Sequence, residues 1–283
     1  MQLNGDKFEA ISIGSSEREV IYTTPSGEPI EVKNTIKDLG IEMQDNLSFQ
    51  AHIATVVAKG HTIANWTLRQ FVSRDMWTLK ILLKQLVVPQ VEYGNVLWGP
   101  YDQGQINLIE QVQKRYTRRI DEFQIDDEER PGKKKCNVRY PERLKRLKIF
   151  PLERRRERYA ILYMYKILIG YAPSVGLEHY SSNRGTHVFR SKVIPDNRGI
   201  PSWIKKARNS SLFVKGPLLY NGLPSELRTN EMIETPTKHH IDKFKIRLDK
   251  YLESVPDVPG TQDNTLLEAI PALRRGYQHA QLI

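Results

Sequence analysis

The stretch that most constrains the fold is 73–120, where apolar side chains recur at helical spacing. Ser73 is a candidate N-cap for a first apolar run, which continues to Val87. Pro89 then removes one backbone donor and crowds the carbonyl group four residues earlier. We therefore expect a helix that kinks at this proline.

The second half of this stretch predicts another helix. Past Pro89, apolar residues continue from Val91 to Trp98, where Gly99 and Pro100 end them, and Asp102 can cap the helix that follows. Apolar residues then recur at spacings of three and four, at Ile106, Ile109, Val112, Tyr116 and Ile120. This spacing indicates an amphipathic helix with one buried face.

The same helix carries cations outside its apolar stripe, at Lys114, Arg115, Arg118 and Arg119. A helix that is buried on one side and cationic on another suits contact with the phosphate backbone of a nucleic acid. An ordinary solvated basic face remains the alternative.

Several short motifs in and around this stretch are similar to those of one known family. They are Glu92-Tyr93-Gly94, Leu97-Trp98, Ile109-Glu110, Val112-Gln113 and Arg115-Tyr116-Thr117-Arg118. In this order and spacing they resemble the region after the palm in reverse transcriptases of non-LTR (LINE-type) retrotransposons, in particular the jockey and CR1 kind. The resemblance continues through Tyr140-Pro141-Glu142-Arg143-Leu144 and covers most of the chain.

The resemblance implies a fold and a division of the chain. The expected class is mainly α, with a small N-terminal antiparallel β portion. A β-rich palm remnant would occupy residues 1–45 and a thumb-like helical bundle residues 46–122. A flexible charged insertion (123–139), a basic C-terminal helical module (140–255) and a mobile tail (256–283) would follow.

The resemblance also suggests particular residues. Leu3-Asn4-Gly5-Asp6-Lys7 is similar to a palm motif whose lysine lies near the incoming nucleotide, so Lys7 is the candidate palm-motif lysine. Arg69 and Arg74 lie in the link between the two helical stretches assigned to the thumb, where they could contact phosphate.

Two further basic clusters are candidates for nucleic-acid contact. Lys133, Lys134 and Lys135 follow an acidic segment, and they could serve as a phosphate contact or a nuclear-import signal. Arg154, Arg155, Arg156 and Arg158 crowd the first turns of a predicted helix, where they oppose its dipole unless carboxylates or a bound polyanion compensate.

Charge and cysteine content limit the setting. The chain has 43 basic and 33 acidic residues, a formal net charge of +10, and the cationic excess begins where the helices begin. Cys136 is the single cysteine, which excludes an internal disulfide framework. The polar, acidic N-terminus does not resemble a signal peptide, and no apolar window is long enough to span a bilayer. We expect an intracellular protein, nuclear or cytoplasmic, without a membrane partner.

The sequence lacks the hairpin that polymerases of this class use to hold magnesium. That hairpin carries a Tyr/Phe-x-Asp-Asp motif. Asp126-Asp127 does not match it, because Phe123 stands one residue too far away. We expect no cofactor and no metal site in this chain, and Mg²⁺ only in a complete polymerase. The chain is then a catalytically incomplete part of an RNA-directed DNA polymerase.

Together these features predict a protein that holds a template–primer duplex of RNA or DNA, with a separate palm-containing polypeptide as a further partner. Two alternatives stay open. One is a host-recruited nucleic-acid-binding protein, and the other is a helical scaffold for protein interactions.

Overall fold

The computed structural model describes residues 8–13, 21–100, 102–173, 211–229 and 233–255. The helices are α1 (Gln50–Gln70), α2 (Met76–Leu82), α3 (Val88–Glu92), α4 (Gln103–Thr117), α5 (Tyr140–Leu147), α6 (Leu152–Leu168), α7 (Leu212–Asn221) and α8 (Lys238–Ser254). The strands are β1 (Tyr22–Thr23), β2 (Pro29–Ile30), β3 (Thr35–Asp38), β4 (Ile41–Gln44), β5 (Gln124–Asp126) and β6 (Lys134–Cys136). The predicted class, mainly α-helical with a small N-terminal antiparallel β portion, is confirmed for these residues.

The strands form separate antiparallel hairpins, β1–β2, β3–β4 and β5–β6. The β3–β4 hairpin turns on Leu39 and Gly40, whose φ angles of 45° and 86° are typical of the tight turns that match strand twist. The Tyr93 hydroxyl donates a hydrogen bond to the Leu39 carbonyl at 2.9 Å. This bond joins the hairpin tip to the end of α3.

Gly94 allows the β3–β4 hairpin to lie close against the helices. Its φ is +64°, and a Cβ atom there would lie 2.6 Å from Cδ1 of the buried Ile41. The adjacent Trp98 is fully buried and donates from its indole N–H to the Tyr93 carbonyl at 2.7 Å. A side chain at position 94 would therefore displace the hairpin from the helical core.

The long helix α1 crosses α3 and α4 at Gly60. A Cβ atom at this position would lie 2.6 Å from Val91 and 3.2 Å from Val112. Gly60 thus permits a close contact between helices without interrupting α1.

The segment from α2 to α3 differs in detail from the sequence-based expectation. Asp75, rather than Ser73, caps α2, because its carboxylate accepts a hydrogen bond from the Thr78 N–H at 2.8 Å. The Ser73 hydroxyl donates to the Asp75 carboxylate instead. The disturbance expected at Pro89 takes the form of a π-helical turn, Leu83–Val87, which precedes α3. A π turn accommodates a proline because it shifts the hydrogen-bond register by one residue.

The segment 123–139, predicted to lack regular structure, contains the β5–β6 hairpin. Its register pairs Gln124 with Cys136. Phe123 is buried at the base of the hairpin. At the tip, the buried Asp127 carboxylate forms an ion pair with Arg130 at 2.7 Å. An anchored aromatic and an internal ion pair thus define this hairpin despite its polar sequence.

The joint between α5 and α6 is fixed on α4 by a buried polar network. The Glu110 carboxylate accepts hydrogen bonds from the Tyr140 hydroxyl and from the Leu152 N–H, the latter at 3.0 Å. Burial raises the pKa of the Glu110 carboxyl. Gln113 on the same helix donates to the Phe150 carbonyl at 3.2 Å.

Helix α6 belongs to both hydrophobic cores of the described chain. Its first residue, Leu152, is part of the core formed by α1 to α4. Its second half packs with α7 and α8 in the other core, where Tyr165 stacks on Phe244 with ring centroids 3.9 Å apart. The fully buried Tyr220 of α7 completes this core. A helix shared by two cores has little surface left for solvent.

Lys7, residues 174–210 of the predicted C-terminal module and the tail 256–283 lie outside the described residues. Among the helices that are described, none has both the length and the apolar character that crossing a membrane requires.

Candidate nucleic-acid interface

A cationic cavity lies between α1, the end of α4 and the β5–β6 hairpin, and we call it the arginine cavity. Its volume is about 430 Å³, and its polar lining comprises His61, Asn65, Arg115, Arg118, Arg119 and Lys134, among others. Val112 and Tyr116 contribute apolar wall. None of the described residues that line it is acidic.

The arginines reach this cavity because of the helical register of α4. Ile109, Val112 and Tyr116 are buried against α1 and its neighbours. Arg115, Arg118 and Arg119 lie outside this buried face, and all three are exposed. Within the described ranges, their guanidinium groups form no hydrogen bond or ion pair.

Lys134 approaches the arginine cavity from the β5–β6 hairpin. Its ammonium group lies 3.7 Å from the Asp121 carboxylate, and both side chains are more than half exposed. An ion pair this exposed contributes little stability and leaves the lysine able to bind an external anion.

His61 contributes an imidazole from α1. Partial burial lowers its pKa, and the Arg115 guanidinium lowers it further. At neutral pH the ring is therefore neutral and can accept or donate a hydrogen bond beside the arginines. An anion bound next to it would favour the charged imidazolium.

The arginines at the start of α6 do not form the cationic surface that the sequence predicted. Arg154 is buried and donates from Nη1 to the Val255 carbonyl at 3.2 Å. Arg155 donates to both carboxylate oxygens of Glu92, and Arg158 donates to both carboxylate oxygens of Asp249. These three guanidinium groups bind within the chain.

Arg156 also faces inward. It lines a small cavity of about 40 Å³ together with Glu153, Glu157 and Lys215. Lys215 forms an ion pair with the buried Glu157 at 3.1 Å. The physical reason is the position of α6 between two cores, which leaves its first turns little surface free for a ligand. We therefore exclude Arg154, Arg155, Arg156 and Arg158 from the candidate interface.

Arg74 and Lys114 also have structural partners. Arg74 donates from its guanidinium to the carbonyl groups of Leu68 and Phe71, and so supplies hydrogen-bond donors to carbonyl groups at the C-terminal end of α1. Lys114 places its ammonium group over the Tyr140 ring, 5.3 Å from the centroid. Arg69, in contrast, is exposed, and its Nε forms a long bond of 3.4 Å to the Asn65 carbonyl.

The three lysines of the hairpin have different positions. Lys134 lines the arginine cavity, whereas Lys135 lies 3.7 Å from the Asp127 carboxylate. Lys133 is exposed in the turn, where its carbonyl accepts a hydrogen bond from the Asp127 N–H at 2.7 Å. Hydrogen bonding by Arg130 holds the pKa of Asp127 below its usual value. This carboxylate is therefore charged, and its partners lie within the hairpin.

Sequence reasoning missed three polar residues of the cavity. They are His61, Asn65 and Gln124. His61 and Asn65 stand four residues apart, on one face of α1, and this spacing was a usable signal. Gln124 had none, because only the hairpin brings it to the cavity. Nowhere in the described ranges do three or more His, Cys, Asp or Glu side chains cluster as a metal site would require.

Comparison of this chain with protein-family models, with curated proteins and with solved structures finds no match. The resemblance to non-LTR reverse transcriptases therefore rests on the residues of this sequence.

Proposed function

We propose that this protein binds nucleic acid, and that the arginine cavity is where the phosphate backbone lies. The observation that carries the proposal is the group of Arg115, Arg118 and Arg119, which are exposed, close in sequence at one helix end and unpaired within the described part of the chain. Other clustered arginines of this protein are paired with internal acceptors. Cations left unpaired around a concave surface are suited to an external anion.

Guanidinium groups are well matched to phosphate, because each presents a planar fork of N–H donors. Lys134 adds a fourth positive charge from the β5–β6 hairpin. Each phosphate that they neutralise releases condensed counterions, which favours binding and makes it depend on salt. No lining carboxylate among the described residues opposes this attraction.

The finer proposal is that the chain is the thumb and post-thumb part of a non-LTR retrotransposon reverse transcriptase, and that it holds a template–primer duplex. Its support is the motif order from Glu92 to Arg118 and onward through Tyr140. In this proposal α1 to α4 act as the thumb, and a separate palm-containing polypeptide supplies the Mg²⁺ and the catalytic aspartates. A host-recruited nucleic-acid-binding protein would use the same cavity without that polypeptide.

A helical scaffold for protein interactions is the second candidate function. Leu39, Tyr93 and Leu97 are all exposed, and the Tyr93–Leu39 hydrogen bond brings two of them together at the β3–β4 hairpin tip. Exposed apolar residues that cluster can mark a protein contact. Such a contact would not require the arginine cavity.

The experiment is a binding titration of the full chain against a fluorescent blunt duplex at low salt. Three proteins are compared: the wild type, R115A/R118A/R119A, and the control K145A/K238A/K250A. The control removes the same charge from exposed lysines outside the cavity. We expect roughly a tenfold or greater loss of affinity for the cavity variant and a much smaller loss for the control.

Thermal unfolding of each variant shows whether its fold is intact. Equal losses of affinity in the two variants would mean that general charge, not the cavity, attracts the duplex. Absence of duplex binding by the wild type at low salt would refute the proposed function and favour the scaffold.

A further inference from the structure

A further cavity lies on the core that α6, α7 and α8 form, and we call it the α8 cavity. Its volume is about 220 Å³, against about 430 Å³ for the arginine cavity, and the two share no lining residue. Its polar lining includes Tyr165, Arg228, His240, Lys243 and Arg247. None of the described residues that line it is acidic. The cavity is therefore rich in hydrogen-bond donors and positive charge.

Helical spacing brings three of these donors to one face of α8. His240, Lys243 and Arg247 stand three and four residues apart along the helix. Phe244 lies among them and is buried, and its ring stacks on Tyr165 of α6 with centroids 3.9 Å apart. The same face of α8 thus carries a core aromatic residue and the donors beside it.

The Tyr165 hydroxyl is a donor whose acceptor is missing from the described part of the chain. Tyr165 is 8% exposed and lines the α8 cavity, and its hydroxyl forms no hydrogen bond with a described residue. Burial raises the pKa of this hydroxyl, so it keeps its proton at neutral pH, and the nearby Arg247 guanidinium lowers that pKa in part. Because a buried polar group without a partner is costly, this hydroxyl is suited to a ligand that accepts hydrogen bonds.

The N-terminal cap of α8 makes His240 a second neutral donor. The Thr237 N–H donates to His240 Nδ1 at 3.2 Å. Nδ1 therefore carries no proton, and the ring proton lies on Nε2. No described residue accepts a hydrogen bond from Nε2.

Lys243 and Arg247 supply positive charge that no described carboxylate compensates. Arg247 donates to the Glu226 carbonyl, which is uncharged and holds the guanidinium in place. Lys243 is exposed and forms no ion pair with a described residue. The nearest carboxylate along α8, that of Asp242, pairs with Lys245 at 3.0 Å instead.

We infer that the α8 cavity binds a phosphomonoester group. Two cations and two neutral donors match this group, which carries close to two negative charges and presents three terminal oxygens. A phosphodiester of a nucleic-acid backbone carries one charge on two such oxygens and would leave donors unused. The smaller volume also suits a group at the end of a molecule. A free nucleotide and the 5′ end of a strand both carry such a group, and the inference does not depend on the arginine cavity.

The test is calorimetric titration of the full chain with adenosine 5′-monophosphate and with adenosine. We expect the phosphate to raise affinity by roughly tenfold or more, because its charged oxygens accept the cavity's hydrogen bonds. Inorganic phosphate should compete with the nucleotide. The variant R115A/R118A/R119A should bind the nucleotide within about twofold of the wild type, since its substitutions lie in the other cavity.

Two pairs of variants locate the site. K243A/R247A should weaken nucleotide binding by roughly tenfold or more, whereas K238A/K250A removes two exposed lysines of the same helix outside the cavity and should change it by no more than about twofold. Y165F removes only the hydroxyl and keeps the ring on Phe244, so we expect roughly fivefold weaker binding. Its control is Y251F, whose ring packs on the same core outside the cavity. Thermal unfolding shows whether each variant is folded.

A second arm identifies the source of the phosphate. A short single-stranded oligonucleotide with a 5′-phosphate is compared with the same strand ending in a 5′-hydroxyl, both bound to R115A/R118A/R119A so that the arginine cavity does not contribute. A preference for the phosphorylated strand indicates a strand end, and a phosphate effect confined to the mononucleotide indicates a small molecule.

The inference is overturned if the phosphate changes affinity in neither arm. It is also overturned if K243A/R247A and K238A/K250A weaken binding equally, or if Y165F binds the nucleotide as tightly as the wild type. These results leave the proposed function untouched, because that function is measured by duplex binding in the arginine-cavity variant. Loss of duplex binding in R115A/R118A/R119A with unchanged nucleotide binding would show that the two cavities act separately.

Discussion

Replacing Arg155 with alanine tests the assignment of the α6 arginines to the protein interior. The Arg155 side chain is 24% exposed and its partner Glu92 8%, and Nη2 lies 2.7 Å from Oε2. After R155A, the Glu92 carboxylate keeps only the Tyr159 hydroxyl, at 3.3 Å, among the donors that the structure gives it. Breaking one partner of a buried pair costs about 3–5 kcal/mol. Because this pair is partly hydrated, we expect about 2–3 kcal/mol.

The loss can be measured by urea unfolding, and a thermal scan should show a decrease in Tm of roughly 5–10 °C. The control is R146A, which removes an exposed pair with Glu142 and should cost no more than about 0.5 kcal/mol. Duplex affinity at low salt should be unchanged for R155A at a temperature where it is folded. If R155A instead weakens duplex binding and leaves stability unchanged, then Arg155 faces the ligand and our assignment is wrong.

Two further predictions concern the core. Burial, and then the neighbouring Glu157 carboxylate, raises the pKa of Glu153 from 4.5 to about 7. In this pH range Glu153 holds a proton in the folded state that the unfolded chain releases. The stabilisation that this bound proton gives the folded state is lost as pH rises from about 4.5 to 7. Relative to E153Q, the wild type should therefore lose about 3 kcal/mol of unfolding free energy across this window. Urea unfolding at a series of pH values measures this loss. A difference between the two proteins that does not change with pH would contradict the prediction. G60A should lower stability by about 1–3 kcal/mol despite the better helix propensity of alanine, because its Cβ would lie 2.6 Å from Val91; an increase in Tm would refute the close crossing.

Much of the helical part of this chain could be predicted because its signals are local. Asp102 caps α4 as expected and accepts from the Gln105 N–H at 3.2 Å. The apolar spacing of α4 correctly placed Ile109, Val112 and Tyr116 inside and left the arginines outside. A periodic stripe carries this information within a few residues.

What could not be predicted depends on partners that are distant in the sequence. Glu92 and Asp249 neutralise Arg155 and Arg158 from other helices, and nothing near α6 in the sequence indicates them. The arginine cluster of α6 resembles a binding surface when only the residues of its own helix are considered. Its acceptors become visible once the helices are packed.

Competing local signals account for the smaller differences. Ser73 and Asp75 are both good N-cap residues, and only the structure shows that Asp75 accepts the Thr78 N–H. The β5–β6 hairpin has short polar strands, and its stability comes from the buried Phe123 and from Asp127. Periodicity does not detect strands of this length.

The central claim is that the arginine cavity binds the phosphate backbone, and the salt dependence of duplex affinity tests it most directly. For B-DNA, the slope of log K against log salt concentration becomes shallower by about 0.9 for each phosphate that the protein no longer neutralises. R115A/R118A/R119A should therefore flatten the wild-type slope by about 2–3, while K145A/K238A/K250A should leave it nearly unchanged. Identical slopes for the wild type and the cavity variant would contradict the claim.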